Sequence, residues 1–290
     1  GKNTAGYCFL FPDGLGAVFG DFSSGLREVW QAEQIKNFTP TERINYQKII
    51  EEAQLKATEE QEREYLKAAE YAQKKWGELL VADDNHEYLV KKGVHNYGLR
   101  QSGEALVTPF INPVGDITTY QTIAPDGTKK FLAGGRKKGS AYPIFGDTRT
   151  VYIVEGYATG ATVHEATGCM VLVAGDAGNL LPVTAAAITA KRYDVIVVCA
   201  DNDDAGLKAA QACEKESGVP YVYPEGIKGT DYNDMAQEFG IEAVTEALKK
   251  GNIKPYEMQS SRDNYPVEIF NPPGRLKDIA DYFNATTIRP

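Results

Sequence analysis

Two short apolar runs, VYIV at 151–154 and VIVVC at 195–199, do most to restrict what this chain can fold into. Neither alternates with polar residues, which is the pattern of central strands covered by helices on both faces of a parallel sheet. From residue 151 onward the sequence alternates predicted strands (151–155, 169–173, 194–200, 219–223) with predicted helices (159–167, 180–191, 205–217), so crossover helices join parallel strands. Ligands of such open sheets bind beyond the carboxyl ends of the strands. Both runs end there in carboxylates, Glu155-Gly156 and Asp201-Asn202-Asp203, about 45 residues apart.

A strand period of two would set Asp201 and Asp203 on one side and Asn202 on the other. Oxygen clusters at neighbouring strand ends suit Mg²⁺, which takes one or two protein carboxylates and keeps water or phosphate for the rest; Mn²⁺ accepts the same oxygens. An Asp-x-Asp after a strand also serves as turn and N-cap chemistry. Asp231 and Asp234, in KGTDYNDMA, carry the same two readings, and a third carboxylate group is what a two-metal site requires. Gly206 would let the following helix pack closely under the 201–203 turn.

At 290 residues the chain is long enough for about two domains. No run of 18 apolar residues occurs and the start lacks a secretory h-region, so neither membrane insertion nor export is expected, and the expected location is cytoplasmic. Cys8, Cys169, Cys199 and Cys213 have no CxxC spacing, which argues against a zinc site or a disulfide framework and for a reducing compartment. The net charge of −9 excludes a protein that coats nucleic acid over its whole surface. Between Lys91 and Lys138 the balance reverses. Lys91, Lys92, Arg100, Lys129, Lys130, Arg136, Lys137 and Lys138 outnumber Glu104, Asp116 and Asp126, and basicity beside an acidic metal site points to a phosphate-bearing substrate.

Five segments are expected. Residues 1–38 hold a small three-stranded β segment, with turns at Asp13-Gly14 and Ser24-Gly25, as the end of an N-terminal domain. Residues 39–82 form a long charged helix or helical hairpin that starts at Thr39-Pro40-Thr41. Its expected packed stripe is Tyr65, Leu66, Ala69, Trp76 and Leu79, and its i,i+4 pairs are Glu52–Lys56, Glu59–Arg63 and Glu70–Lys74. Residues 83–148 make a basic α+β subdomain: a helix capped by Asp84 and stopped by Gly93, then two strands, the turn Pro125-Asp126-Gly127, and the loop TKKFLAGGRKKGS, whose glycines would let backbone approach a ligand unless they only punctuate a solvent-facing loop. Lys91 and Lys92, in the last helical turn, either complement the macrodipole or bind a ligand. Residues 149–251 are the α/β domain. Residues 252–290 are a linker and the start of a following domain, with Leu276, Ile279, Ala280 and Phe283 at helical spacing. His86, His95 and His164 are assigned no role.

The motifs EG at 155–156, DNDDAG at 201–206 and DYND at 231–234 resemble, in order and spacing, those of the TOPRIM domain of bacterial primases, topoisomerases and some nucleases. The segments HEYLVKKGV, LVTPFINPVGDITTYQTIAPDGTKKFLAGGRKKG and GYCFLFPDGLGAVFGDFSSGLREVW resemble plasmid- and phage-encoded primases, the primase part of primase-helicases. The resemblance implies a Rossmann-like TOPRIM sheet flanked by helices, behind the basic α+β subdomain and the long helical segment. It implies catalytic Glu155, Asp201 and Asp203 holding Mg²⁺ or Mn²⁺, with Asp231 and Asp234 completing the acidic cluster. Lys129, Lys130, Arg136 and Lys138 match the basic segment that contacts incoming nucleotide and template. The implied activity is primer synthesis from nucleoside triphosphates on single-stranded DNA, beside an appended or separate replicative helicase, with Tyr97 and Tyr120 available to stack on bases. A metal-dependent nuclease and a non-catalytic single-strand-binding module remain alternatives. No GxxxxGK[ST] occurs, so ATPase activity is not expected in this stretch.

Overall fold

The computed structural model describes residues 6–12, 14–21, 26–32, 38–226 and 228–250. Asp13, the Ser24-Gly25 turn, and the linker and amphipathic piece expected from residue 252 lie outside them. The chain forms two compact units, one of residues up to Tyr71 with Leu132–Arg136, the other of Ala72–Phe131 and residues from Lys137 onward.

In the first unit, strands β1 (Gly6–Leu10), β2 (Gly16–Asp21) and β3 (Leu26–Gln31) pair antiparallel in that order. Phe11 and Val18 bury against Tyr46 and Ile50 of helix α1 (Pro40–Glu78), whose last residues belong to the second unit. Proline occupies the first helical position, and Thr39 and Glu42 form a reciprocal cap: the Thr39 amide donates to Glu42 Oε2 at 2.7 Å and the Glu42 amide to Thr39 Oγ1 at 3.3 Å. The stretch is one helix with a different buried stripe from the one expected. Tyr46, Ile50, Ala57, Ala68, Ala72 and Trp76 are buried, whereas Leu66 is 64% exposed. Alanine spacing sets this face, and Leu66, two residues from Ala68, falls on nearly the opposite side of the helix. Arg63 pairs with Glu60 and Lys67 with Glu64, at i,i+3, so Arg63 does not pair with Glu59.

The second unit contains two sheets. Strands β4 (Leu80–Val81), β5 (Arg100–Ser102), β6 (Ala105–Ile111), β7 (Ile117–Ile123) and β8 (Lys129–Phe131) form an antiparallel sheet in sequence order. Helix α2 (Glu87–Lys92) lies between β4 and β5. Its cap is His86, not Asp84. The buried imidazole accepts from the Tyr88 amide through Nδ1 at 3.2 Å while Nε2 bonds the Glu104 carbonyl at 2.8 Å, and Asp84 is taken up by the Asn96 amide.

The other sheet holds β9 (Tyr142–Ile144), β10 (Asp147–Val154), β11 (Cys169–Val173), β12 (Val195–Cys199) and β13 (Tyr221–Val222), in the order β13-β12-β10-β11-β9. All neighbours are parallel except β9, an antiparallel edge strand on β11. Connections run through α3 (Tyr157–Thr167), α4 (Leu180–Ala190) and α5 (Asp204–Ser217), and α6 (Tyr232–Phe239) and α7 (Ile241–Lys250) follow β13. Strand alternation divides the core in two. Tyr152, Val154, Val197 and Cys199 face the layer of α3, α6 and α7, while Val151, Ile153, Ile196 and Val198 face α4 and α5. Among the described residues no helix is long and apolar enough to cross a membrane.

β10 and β12 pair in register, Val154 opposite Cys199, which brings their carboxyl ends side by side. Helix α5 then starts so close to the strand end that a Cβ on Gly206 would stand 2.6 Å from the Asp201 carbonyl oxygen. Gly206→Ala is therefore expected to destabilise the protein by about 1–3 kcal/mol, although alanine is the better helix former. Urea unfolding checks this, and unchanged or increased stability would show that the turn can yield.

Candidate active site

Immediately beyond Val154 and Cys199, Glu155 and Asp201 line a cleft of about 270 Å³ together with Lys92, Lys129, Thr159 and Asp231. One oxygen of Asp201, Oδ1, is buried without a hydrogen-bond partner. Burial and then the neighbouring carboxylates of Glu155, Asp231 and Asp203 push the Asp201 carboxyl up to about 7, against the opposing pull of Lys129. Glu155 is raised chiefly by burial, with Lys129 opposing and Asp203, Asp176 and Asp231 adding to the rise. A buried carboxylate with an unused oxygen and acidic neighbours is a strained arrangement that a cation relieves.

Asp203 and Asp231 do local and site work together. Asp203 caps α5 by accepting the Gly206 amide at 2.7 Å. Asp231 caps α6 in a reciprocal box with Asp234, and its second oxygen accepts from Thr159 Oγ1 at 3.1 Å, which aims the carboxylate at the cleft. Asp203 is near enough to Asp201 to raise it, and Asn202 turns away, as expected, but strand alternation is not the cause. The strand ends at Cys199, Asp203 turns to its helix, and Asn202 is buried, donating from Nδ2 to the Pro224 carbonyl at 3.0 Å. Thr159 and Asp176 were not anticipated. Asp176 stands just beyond β11, where the strand-end argument that found Glu155 and Asp201 applies equally.

The eight cations have different immediate surroundings. Lys129 and Lys92 line the cleft, and Lys92 Nζ lies 3.6 Å from Asp234 Oδ1. Lys91 and Lys130 both act on Asp126 at its rim, adding to the Thr128 hydrogen bonds that hold that carboxyl low. Lys137 pairs with Asp176, and Lys138 is exposed. Arg100 stacks on the Trp76 ring, 4.4 Å from its centroid. Arg136 belongs to the first unit, where it pairs with Glu62 and lies over Tyr65. Gly134 and Gly139 have φ of +73° and +76°, so the backbone bend itself calls for glycine there. Tyr97 is not a free stacking platform: its hydroxyl donates to Glu165 and its ring meets His164 edge-on.

Among the described residues no three His, Cys, Asp or Glu side chains close on a single point. That donor set, with one orphaned carboxylate oxygen and lysines lining the same cleft, fits an ion held by one or two carboxylates with water and phosphate completing its shell.

Residues 150–242 match the family described as Toprim domain. DNA primase TraC of Escherichia coli is 32% identical over 219 residues, 69% of this chain and 20% of that protein. Over residues 150–242 the chain matches the Toprim domain, and it is similar to TraC. A second Escherichia coli DNA primase TraC is 30% identical over 183 residues, 57% of this chain and 13% of its own length, so the chain spans one fifth or less of these relatives. Among solved structures, the Aquifex aeolicus primase with its zinc-binding and RNA polymerase domains overlays with a TM-score of 0.46 at 16% identity, covering 86% of this chain and 79% of that one. Toprim domains generally use divalent metal ions.

The raised Asp201 carboxyl of the Toprim domain has a sign that can be measured. Its contribution destabilises the metal-free fold as pH rises from about 4 through about 7, because the folded state gives up this proton less readily than the unfolded chain. Asp201→Asn should accordingly melt higher than the parent in chelator at pH 8, by on the order of a few kcal/mol, with the advantage vanishing near pH 4. A variant that melts lower at pH 8 would mean that the carboxylate is stabilising in its own right.

Proposed function

We propose that this chain is the catalytic part of a DNA primase, joining nucleoside triphosphates into short primers on single-stranded DNA. The observation that carries the reading is that one cleft is lined by both signs of charge: Asp201, with its unpaired buried oxygen, and Glu155, together with Lys129 and Lys92. Acid alone would serve any metal chemistry. Acid with lysine beside it suits a substrate that is itself a polyanion and brings its own oxygens to the ion.

Of the acidic cluster Glu155, Asp201, Asp203, Asp231 and Asp234, one or two carboxylates, Asp201 first, would ligate a divalent ion directly and the others would act on it through water, and Mg²⁺ is the choice we favour over Mn²⁺ for a site with few protein ligands. Such an ion, when bound, lowers the pKa of a primer 3′-hydroxyl and neutralises triphosphate charge. The protein's own part is positioning and electrostatics. Lys129 and Lys92 draw the phosphates into the cleft, and Thr159 and the α6 cap keep the Asp231 carboxylate at a fixed angle. Lys91, Lys130 and Lys138 offer phosphate contacts to a template strand. The TraC relationship supports the same reaction, and a replicative helicase, appended or separate, is the partner that it implies.

With labelled nucleoside triphosphates and single-stranded DNA, the protein is expected to make short oligonucleotides in Mg²⁺. Asp201→Asn/Asp203→Asn should abolish synthesis, and Lys129→Ala should lower it by about 10²-fold, the range for removing one electrostatic contact to a developing charge. Undiminished synthesis by the double variant would contradict the metal assignment. Degradation of end-labelled DNA without added nucleotides would instead mark a nuclease.

A further inference from the structure

Helix α2 delivers Lys91 and Lys92 in its last turn, where four carbonyls lack partners inside the helix. Gly93, left-handed at φ +62°, returns its amide to the carbonyls of Leu89 and Val90. The remaining two are met from α6. Gln237 Nε2 donates to the Lys91 carbonyl at 2.7 Å, and Asn233 Nδ2 donates to the Lys92 carbonyl at 2.8 Å. The two amides are four residues apart, one helical turn, and so reach from the same side of α6.

Asn233 is 1% exposed, and its second donated bond goes to Thr162 Oγ1 of α3 at 3.0 Å. Its Oδ1 is buried with no partner. Turning the amide over would only move the fault, because the Lys92 carbonyl can use nothing but a donor. An asparagine that leaves an unmet acceptor in the core carries a desolvation penalty that an apolar side chain of similar size avoids. Its return is therefore not core stability but the place of the α2 terminus. The same helix begins with the Asp231 carboxylate in the cleft, and Lys92 Nζ stands 3.6 Å from its Asp234.

We propose that Asn233 and Gln237 are positioning residues that act through Lys92: by holding the end of α2 they fix Lys92, which lines the cleft, to the helix that Asp231 caps, so that a nucleoside triphosphate meets Lys92 and Asp231 at a set spacing. The assignment rests on the nucleotide-joining function above. No other contact of α6 with α2 is needed for it.

The test measures equilibrium binding of a fluorescent ATP analogue in Mg²⁺, together with primer synthesis and thermal melting. The proteins are the parent chain, Asn233→Leu, Gln237→Ala, Lys92→Met and Asn233→Leu/Lys92→Met. Asn233→Leu is expected to weaken nucleotide binding about fivefold or more. Lys92→Met should do likewise, and the double variant should be no weaker than the worse single, the signature of one residue acting through the other. Losses that multiply, or Asn233→Leu binding like the parent, would overturn the assignment. Should Asn233→Leu fail to fold, Gln237→Ala with Lys92→Met gives the same cycle from an exposed position. Coupled losses in a protein whose parent makes no primers would sustain the positioning role and overturn the primase function; a parent that makes primers with uncoupled losses does the reverse.

Discussion

An unpaired carboxylate oxygen, buried beside other carboxylates at the end of a central strand, is the constraint around which this protein is arranged. Asp201 is held there by backbone: β12 runs in register with β10, the turn after it has no freedom because Gly206 packs on the Asp201 carbonyl, and Asn202 ties the turn to Pro224. Burial and acidic neighbours both oppose the charge that a metal ligand needs. Lys129, on the neighbouring antiparallel sheet, offsets part of that cost, and the rest is left for a cation. Folding energy stored in this way by a strongly apolar sheet core is consistent with two hydrophobic layers, one on each face.

The two sheets of the second unit divide the work. The mostly parallel sheet supplies acid at its strand ends, as the topology of crossover connections dictates. The antiparallel sheet and α2 supply lysine. What joins them is a small set of polar side chains on short helices. Thr159 and Thr162 of α3, and Asp231, Asn233 and Gln237 of α6, meet one another or the end of α2. The start of α6 thus serves twice through Asp231, once for the helix's own unsatisfied amides and once for the cleft.

Sequence reasoning reached the sheet, its helices and the acidic residues because these depend on local pattern: apolar runs, Gly and Asp at helix ends, and carboxylates just past strands. It missed where local pattern stops. Asp203 does act on Asp201 as expected, but from the N-cap of α5 and not through a strand period of two, because the strand closes at Cys199. Leu66 looked like core and is exposed, because alanines rather than leucines set the buried face of α1. His86, rather than an aspartate, caps α2, since its ring finds the Glu104 carbonyl 18 residues away. The basic residues of 91–138 have separate partners, Asp176 for Lys137, Trp76 for Arg100 and Glu62 for Arg136. Partners distant in sequence decide the α2 cap and the surroundings of Lys137, Arg100 and Arg136, and no local rule contains them.

Titration calorimetry of Mn²⁺ into the parent protein and Asp201→Asn, each with and without a non-hydrolysable nucleoside triphosphate, tests the central claim most directly. Weak binding by the parent alone, tightened by the nucleotide and lost in the variant, is the predicted result. Equal binding of the ion by both proteins would contradict it, because the unpaired Asp201 oxygen would then not be where the ion is held.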